Sequence, residues 1–161
     1  MTRNRSQGME DLYDMPGHLI RRVQQISTAL FTEECAVFDL TSVQFAALHA
    51  INLHPGVDAT RLSALIAFDR STIGDVLDRM AHKGWIRRSP APADRRVKLI
   101  ELTPDGTRLL RQVRPAVQWV QDRILAPLAP ADREGVVRLL AQLADVYNDV
   151  TPAPQRSAAA R

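Results

Sequence analysis

The sequence predicts a mainly helical fold with one small β-hairpin, and three observations lead to this fold class. Several segments repeat apolar residues at the three- and four-residue spacing of an amphipathic helix. Two short runs of alternating apolar and polar residues, 85–88 and 96–102, flank a loop that contains Pro90 and Pro92, which is the pattern of a hairpin. The third observation is a basic segment, residues 79–100, that overlaps most of this hairpin.

Positive charge is concentrated in that basic segment. It carries seven Arg or Lys side chains against one carboxylate, Asp94, and so has a formal charge of +6. The whole chain of 161 residues has a net charge of only +3 at pH 7, so the remainder carries −3. Charge gathered in this way is typical of a protein that binds a polyanion, although a solvated basic face is the alternative interpretation of a charge run taken alone.

Two helices are predicted in the N-terminal part of the chain. Pro16 suits the first turn of a helix whose apolar face continues to about Cys35. Thr41 and Gln44 have the spacing of a capping box at the start of the second helix. The tripeptide His-Pro-Gly at 54–56 is predicted to end this helix.

Two shorter helices follow, and together they predict a helix-turn-helix. Asp58 is predicted to cap the third helix, and Asp69 or Ser71 to cap the fourth after a link of three residues, 67–69. Gly84 is predicted to end the fourth helix, because glycine readily adopts the left-handed conformation that closes a helix. The hairpin comes directly afterwards, so the sequence predicts a winged helix-turn-helix whose fourth helix enters the major groove of DNA.

The fourth helix is expected to turn its polar side toward DNA, because its apolar positions repeat on the other side. The outward side chains can then reach base edges and phosphates. Asp75 is repelled by phosphate unless it accepts from a cytosine amino group or orients an arginine, and N-capping is the alternative role of Ser71 and Thr72. The predicted DNA-facing residues are Arg70, Ser71, Thr72, Asp75 and Arg79.

Two longer helices are predicted after the hairpin. Thr103, Pro104 and Asp105 supply the cap, the first position and the first-turn acid of one helix. The last helix covers about 131–147. Because the terminal helices are too apolar and too remote from the helix-turn-helix to form its core alone, the first and last helices are predicted to form a dimer interface that suits a two-fold operator.

Domain boundaries follow from these elements. Residues 1–11 are predicted to form a flexible N-terminus and residues 151–161 a disordered tail. Residues 12–150 are predicted to form a single domain, since 161 residues leave little room for two independent cores. The dimerisation helices are expected at about 12–36 and 107–148 and the winged-helix DNA-binding lobe at about 40–103.

Composition and motifs argue against several other classes of protein. Aromatic residues make up only 5% of the chain, which disfavours a platform that stacks single-stranded bases. No glycine-rich phosphate loop, nucleophile elbow or metalloprotease motif occurs, so we expect neither an enzyme nor a cofactor. The sequence has no apolar run long enough to span a bilayer and no signal-peptide core, and its lone Cys35 fits a reducing compartment, so a cytoplasmic protein is expected.

Two motifs resemble those of the multiple-antibiotic-resistance regulator (MarR) family. The motif similar to the family's wing signature reads Asp94-x-Arg96, five residues, Leu102-Thr103 and Gly106. The motif similar to its recognition helix runs from DRST at 69–72 to KGWI at 83–86. The two motifs occur in the family's order and spacing, and the likeness covers about residues 12–148.

The resemblance implies a homodimeric, mostly helical protein that binds double-stranded DNA at a palindromic operator and is usually a repressor released by a small molecule. It places Arg96 in the minor groove, whose concentrated negative potential suits an arginine, and gives Asp94 the role of holding that arginine in position. Arg95 and Lys98 are then expected to contact phosphates. Further basic residues that could contact phosphates are Arg61, Arg87 and Arg88.

The effector implied by the resemblance is an anionic aromatic compound, bound in a cleft between the dimerisation helices and the DNA-binding lobe. His18 and Arg22 share one helix face because they are four residues apart, and His49 on the second helix could face the same cleft. An arginine and two histidines around an apolar hollow suit a small aromatic carboxylate, whereas a surface ion pair and structural histidines are the alternative. The candidate ligand-binding residues are Tyr13, His18, Arg22 and His49.

The segment Leu12–Arg22 also resembles the MarR-type repressors of nicotinate catabolism, whose inducer is a hydroxylated nicotinic acid. Such an acid is a small aromatic carboxylate with a second polar edge, so it agrees with the residues of the predicted cleft. The sequence therefore predicts a homodimeric repressor of a catabolic operon that an acid of this kind releases.

Three alternatives to this function stay open on the sequence. A redox sensor would use Cys35, but this cysteine lies at the far end of the first helix, and Glu33 and Glu34 disfavour its thiolate. A metal sensor would have to assemble its site from scattered histidines. A protein-interaction module built on a helix-turn-helix would not bind DNA specifically. The histidines in question are His18, His49, His54 and His82.

Overall fold

The computed structural model describes residues 11–148, which form a mainly helical fold with one small antiparallel sheet. Residues 11–13 are helical. The helices that follow are α1 (Pro16–Glu34), a 3-10 helix (Ala36–Phe38), α2 (Ser42–Leu53), α3 (Ala59–Leu65), α4 (Ile73–His82), α5 (Pro104–Leu125) and α6 (Pro130–Val146). The strands are β1 (Val57–Asp58), β2 (Ile86–Pro90) and β3 (Lys98–Leu102). The predicted fold class is confirmed. The predicted tail at 151–161 lies outside the described residues, and so does the predicted flexible N-terminus at 1–11 except for its last residue, which is helical.

Local hydrogen bonds explain where two of the helices begin, and both are predicted by the sequence. Thr41 and Gln44 form a reciprocal capping box at α2. The N–H of Gln44 donates to Thr41 Oγ1 (3.2 Å), and the N–H of Thr41 donates to Gln44 Oε1 (2.9 Å). At α3 the carboxylate of Asp58 accepts from the N–H of Arg61 (2.9 Å).

The link between α3 and α4 is longer than the three residues that the sequence predicts, because it spans residues 66–72. Ala67 closes α3 with a left-handed φ of 50°. The carboxylate of Asp69 then accepts from the N–H of Ser71 (3.2 Å), which forms a separate turn ahead of the helix. The prediction that Asp69 or Ser71 caps the fourth helix is therefore wrong, since α4 begins at Ile73.

Gly84 closes α4, as the sequence predicts. The φ of Gly84 is 74°, and its N–H donates to the carbonyl of Ala81 (2.9 Å). The N–H of Trp85 donates to the carbonyl of Met80 (3.0 Å). These two bonds form the motif by which a left-handed residue closes a helix. The chain therefore reverses at Gly84 and enters β2 at once.

The sheet contains the predicted hairpin and one strand that the sequence does not reveal. β3 lies between β1 and β2 and pairs antiparallel with both. In the hairpin, Arg87 lies opposite Glu101 and Ile86 lies opposite Leu102. β1 consists only of Val57–Asp58, which is too short for an alternating pattern to be visible in the sequence.

One apolar core joins the predicted helix-turn-helix and the hairpin to the long helix α5. The inward residues of α4 belong to the same buried cluster as residues of α2, β3 and α5. α1 packs against α5, and Arg123 of α5 forms ion pairs with Glu34 and, at 3.3 Å, with Glu33 of α1. The buried residues of α4 are those predicted, Ile73, Val76, Leu77 and Met80.

Two helices leave apolar faces exposed in the single chain. Every residue of α6 is described, and none of them is buried, whereas α1 buries only Phe31. Apolar surface of this extent is typical of an interface between proteins. None of the helices within residues 11–148 has the length and apolarity needed to cross a membrane. The large exposed apolar residues are Leu19, Ile20, Val23 and Ile26 of α1 and Val137, Leu139, Leu140, Leu143 and Val146 of α6.

α5 begins in direct contact with the junction between α4 and the hairpin. Thr103 caps α5, as predicted, because its Oγ1 accepts from the N–H of Gly106 (3.1 Å). The N–H of Thr103 donates to the carbonyl of Trp85 (3.0 Å). A Cβ placed on Gly106 would lie 2.0 Å from that carbonyl oxygen. Glycine at position 106 therefore allows α5 to start this close to the junction.

Gly106→Ala is expected to destabilise the fold by about 1–3 kcal/mol, because the backbone at Trp85 has to move to admit the methyl group. Urea unfolding of the purified variant measures the change. Gly135→Ala is the matched control, since Gly135 lies in α6 with nothing within 4 Å of its added Cβ. Alanine there is expected to be neutral or slightly stabilising. Equal free energies of unfolding for Gly106→Ala and the wild type would contradict the close approach.

Candidate nucleic-acid interface

The outward face of α4 and the turn before it carry the residues that the sequence predicts to face DNA. All of them are exposed, while the apolar side of the helix is buried. Exposed polar side chains on one face are what a recognition helix requires. Their contact with DNA itself stays a prediction. These residues are Arg70, Ser71, Thr72, Asp75 and Arg79.

Asp69 organises the turn before α4. Its carboxylate accepts from the N–H of Ser71 (3.2 Å) and from the Ser71 hydroxyl. Its carbonyl accepts from the hydroxyl of Thr72 (3.2 Å), from the N–H of Thr72 (3.2 Å) and from the N–H of Ile73 (3.1 Å). The hydrogen bonds from the side chain and then the backbone of Ser71 hold the pKa of the Asp69 carboxyl below its ordinary value. The turn is thus built around one ionised carboxylate.

The hairpin presents Arg96 beside Asp94, as the resemblance implies. The backbone N–H (3.0 Å) and Nε (3.1 Å) of Arg96 donate to Asp94 Oδ1, and Nη2 donates to Oδ2 (3.1 Å). The bonds from the side chain and then the backbone of Arg96 lower the pKa of Asp94, so this carboxylate is ionised at neutral pH. The Arg96 side chain is still 91% exposed. Its entry into a minor groove stays a prediction.

Two basic residues of the hairpin are paired with carboxylates of the lobe itself. Arg87 pairs with Glu101 across the strands, with Nε 2.9 Å from Oε2. Arg88 of β2 pairs with Asp78 of α4. The sequence suggests both arginines as further phosphate contacts, but it does not reveal their partners. The two ion pairs connect the strands of the hairpin to each other and to α4.

The other cations of the predicted interface have no such partner. Within residues 11–148 none of them forms an ion pair, so their charge is available to phosphate. Two of them flank the polar face of α4, and two belong to the hairpin. These residues are Arg70, Arg79, Arg95 and Lys98.

Lys83 connects the end of α4 to the segment before α2. Its Nζ lies 2.7 Å from Asp39 Oδ2 and 4.6 Å from the centroid of the Trp85 ring. Asp39 follows the 3-10 helix and has a left-handed φ of 48°. The sequence does not predict this contact, because Asp39 and Lys83 are 44 residues apart and no sequence motif contains both.

The candidate ligand-binding residues form two separate groups. Tyr13 and His18 are in edge-to-face contact, with ring centroids 5.5 Å apart. The arginine beside His18 is Arg21, whose Nη2 lies 3.5 Å from His18 Nδ1. His49 stacks on Phe45, with centroids 6.0 Å apart. In the described part of the chain, no hydrogen bond or ring contact joins the two groups.

Two imidazole nitrogens in these groups are buried without a hydrogen-bond partner among residues 11–148. They are His18 Nε2 and His49 Nδ1. A buried polar atom without a partner is costly, so a ligand that supplies the missing hydrogen bond would gain affinity. Arg22, the predicted cation, is exposed, and Arg21 rather than Arg22 lies beside His18. His18 and Arg22 still share one face of α1, and a contact between Arg22 and an effector stays a prediction.

Cys35 and the histidines bear on the alternative sensing mechanisms. Cys35 is only 1% exposed, and burial followed by the charge of Glu34 raises the pKa of its thiol. Redox-sensing cysteines are exposed and have a lowered pKa, so the environment of Cys35 is the opposite of theirs. Within residues 11–148 no group of three or more His, Cys, Asp or Glu side chains could hold a metal ion.

A helix-turn-helix followed at once by a basic hairpin defines the class of winged helix-turn-helix transcriptional regulators. The sequence profile of the MarR family matches residues 40–98, which contain the two helices, β2 and the loop that leads to β3. The transcriptional repressor NicR of Pseudomonas putida is 30% identical over 135 residues, which make up 84% of this chain and 85% of NicR. The chain therefore belongs to the MarR family.

Two solved structures show that the likeness extends over most of the chain. BpsR of Bordetella bronchiseptica, whose DNA binding is regulated by 6-hydroxynicotinic acid, is 31% identical with a TM-score of 0.78, over 82% of this chain and 94% of BpsR. A variant of Escherichia coli MarR, complexed with operator DNA, is 28% identical with a TM-score of 0.74, over 79% of this chain and 91% of MarR. Coverage of this extent includes long helices as well as the winged-helix lobe.

Cys35 is expected to react with iodoacetamide at least about tenfold more slowly in the folded protein than in urea at neutral pH, because burial shields the thiol and keeps it protonated. Mass spectrometry of samples quenched over time measures both rates. The rate in the folded protein should rise with pH later than the rate in urea, because the folded thiol has the higher pKa. Equal rates in the two states would contradict this account of Cys35.

Proposed function

We propose that this MarR-family protein is a homodimeric repressor of a catabolic operon, that it binds a palindromic operator in double-stranded DNA, and that a small aromatic carboxylate such as a hydroxynicotinate releases it. The observation that carries the DNA-binding part is the wing arginine. Arg96 is almost fully exposed, yet its hydrogen bonds to Asp94 restrict its orientation. An arginine restricted in this way loses little conformational entropy when it enters a minor groove.

The two exposed parts of the lobe support contacts in neighbouring grooves. The outward face of α4 offers hydroxyl and carboxylate groups for base edges in the major groove, with unpaired cations at 70 and 79 for phosphates. The hairpin offers Arg96 for the minor groove, with Arg95 and Lys98 for the adjoining phosphates. Phosphate contacts supply affinity, and the polar face of α4 supplies sequence preference.

The exposed apolar faces of α1 and α6 support a dimer. Burial of these faces against a second copy removes apolar surface from water, which stabilises by about 25 cal/mol per Å². A two-fold dimer also presents two recognition helices to the two half-sites of a palindrome. We therefore assign dimerisation to the helices at 12–36 and 107–148 and DNA binding to the lobe at 40–103. The two regions together form one domain in this proposal.

The chemistry of the two histidine groups supports an acidic aromatic effector. Arg21 and Arg22 are cations on the turn of α1 that carries His18, and arginine binds a carboxylate with two parallel hydrogen bonds. The buried nitrogens of His18 and His49 can bond the second polar edge of a hydroxylated ring. Regulation of BpsR by 6-hydroxynicotinic acid points to the same class of compound. We include Tyr13, through its ring contact with His18, among the residues that hold the acid.

The remaining alternatives predict different behaviour. A protein-interaction module would bind DNA without sequence preference or not at all, whereas an operator-binding protein loses specific affinity steeply as salt rises. Redox and metal sensors would respond to peroxide or to a divalent metal rather than to an acid. The buried, high-pKa thiol of Cys35 favours the acid over peroxide.

Arg96→Ala is expected to weaken operator binding by about 1–3 kcal/mol and to leave the dimer folded. Asp94→Asn should cause a smaller loss, because the arginine is still present but is held less firmly. Fluorescence anisotropy with a labelled operator measures the affinities at physiological salt. Arg114→Ala, which removes an exposed arginine from α5, serves as the control. Unchanged affinity in Arg96→Ala would remove the wing from the mechanism.

Hydroxynicotinates are expected to abolish specific gel shifts of DNA taken from immediately upstream of the protein's own gene. Isothermal titration of the DNA-free protein should show saturable binding of the same acid. Arg21→Ala and Arg22→Ala, tested side by side, identify the arginine that meets the carboxylate, since its loss should weaken binding by about 10-fold or more. Specific DNA binding that no aromatic acid alters would refute the effector and leave the repressor intact.

A further inference from the structure

Several hydrogen-bond donors in the turn before α4 converge on Asp69. The hydroxyl and the N–H of Ser71 both donate to the carboxylate of Asp69. The hydroxyl and the N–H of Thr72 both donate to the carbonyl of Asp69, and so does the N–H of Ile73. Asp69 therefore accepts hydrogen bonds from three successive residues, 71–73. These residues lead into α4, whose polar side is exposed.

This distribution determines what the turn can bind. Phosphate oxygens only accept hydrogen bonds, and backbone N–H groups at the start of a helix commonly bind them. Here the N–H groups of Ser71, Thr72 and Ile73 and both hydroxyl protons are already used within the protein. What Ser71 and Thr72 still offer to solvent is the lone pairs of their hydroxyl oxygens, which accept hydrogen bonds.

Asp75 adds another hydrogen-bond acceptor at the exposed side of α4. It is exposed, and its carboxylate makes no hydrogen bond or ion pair within residues 11–148. Ser71 lies in the turn that leads into α4, and Asp75 lies in the first turn of the helix, so both exposed residues belong to its N-terminal end. The outward face therefore presents two acceptors, Ser71 Oγ and the Asp75 carboxylate, between the cations Arg70 and Arg79.

The donors that complement such a face are specific groups on the bases. In the major groove, adenine N6 and cytosine N4 carry amino protons, whereas guanine and thymine present acceptors at the corresponding places. A face of acceptors therefore favours adenine or cytosine at the contacted position and is repelled by guanine O6 or thymine O4.

We propose that Asp69 is a positioning residue that fixes Ser71 as a hydrogen-bond acceptor, so that Ser71 reads an exocyclic amino group of adenine or cytosine in each half-site. This inference rests on the proposed function, since it requires α4 to enter a major groove. It assigns specificity to a residue, Asp69, that touches no base. The cations beside Ser71 then carry the phosphate contacts of this element.

The experiment uses modified DNA and the full-length protein. Short duplexes that the wild-type protein selects from a random pool are resynthesised with N6-methyladenine or N4-methylcytosine at single positions. Each modification keeps the proton that pairs with the opposite base and replaces the amino proton in the major groove with a methyl group. At one position in each half-site, methylation is expected to weaken wild-type binding by roughly 3- to 10-fold, the value of one hydrogen bond.

Three variants test whether the lost hydrogen bond belongs to Ser71 and depends on Asp69. In Ser71→Ala the penalty of methylation should fall to less than about 2-fold, and in Ser71→Thr, which restores a hydroxyl, it should return. Asp69→Asn keeps one oxygen for the N–H of Ser71 but places an amide donor opposite the hydroxyl. The hydroxyl then turns its proton outward, so the penalty should fall here too. Asp105→Asn, a first-turn carboxylate of α5, is the control.

The possible results separate this inference from the proposed function. Failure of the wild type to select any duplex would refute the proposed function and this inference with it. Specific binding with no position sensitive to methylation would overturn the inference alone. So would a penalty that persists in Ser71→Ala or in a folded Asp69→Asn. If circular dichroism shows that Asp69→Asn does not fold, the pair Ser71→Ala and Ser71→Thr decides, and loss of the penalty without its return in Ser71→Thr overturns the inference.

Discussion

The backbone at Gly84 and Trp85 is the constraint on which the rest of the lobe depends. The recognition helix ends just before this dipeptide, β2 begins just after it, and the first residues of α5 pack against it. The left-handed conformation of Gly84 turns the chain, and the carbonyl of Trp85 accepts from the N–H of Thr103. The absence of a side chain at Gly106 lets the two backbones approach. Backbone hydrogen bonds at this junction therefore help to fix the position of the hairpin relative to α4.

Charge in the lobe is divided between structure and recognition. Some cations are paired: Arg88 joins the hairpin to α4 through Asp78, and Arg87 joins its two strands through Glu101. Exposed pairs of this kind contribute little stability, but they determine which positive charges remain available. Arg96 differs from both the paired and the unpaired cations, because it pairs with the nearby Asp94 and is still almost fully exposed. Within the basic segment 79–100, some cations therefore connect parts of the lobe and a few remain exposed for recognition. The net charge of the segment does not distinguish these two groups.

A physical connection runs from the proposed sensing helix to the recognition helix. α1 is held to α5 by the ion pairs of Arg123, and the segment that follows α1 is held to the end of α4 by Asp39 and Lys83. Under the proposed function, DNA and effector bind to opposite ends of this connection. Their affinities are then coupled, and the coupling must be reciprocal, so that operator DNA weakens the acid by the same factor by which the acid weakens DNA.

The sequence by itself determined the features that depend on near neighbours. The capping box of Thr41, the helix end at Gly84 and the inward face of α4 are all visible in it, whereas the contact between Asp94 and Arg96 was implied by the family resemblance. Hydrogen bonds between residues two to four apart follow from residue type and spacing, and so does the periodicity of a helix face. Only the tertiary structure decided which carboxylates pair with Arg88 and Lys83, because those partners are 10 and 44 residues away and the path of the chain brings them together. The same reason explains the missed strand β1, which exists only because β3 lies beside it.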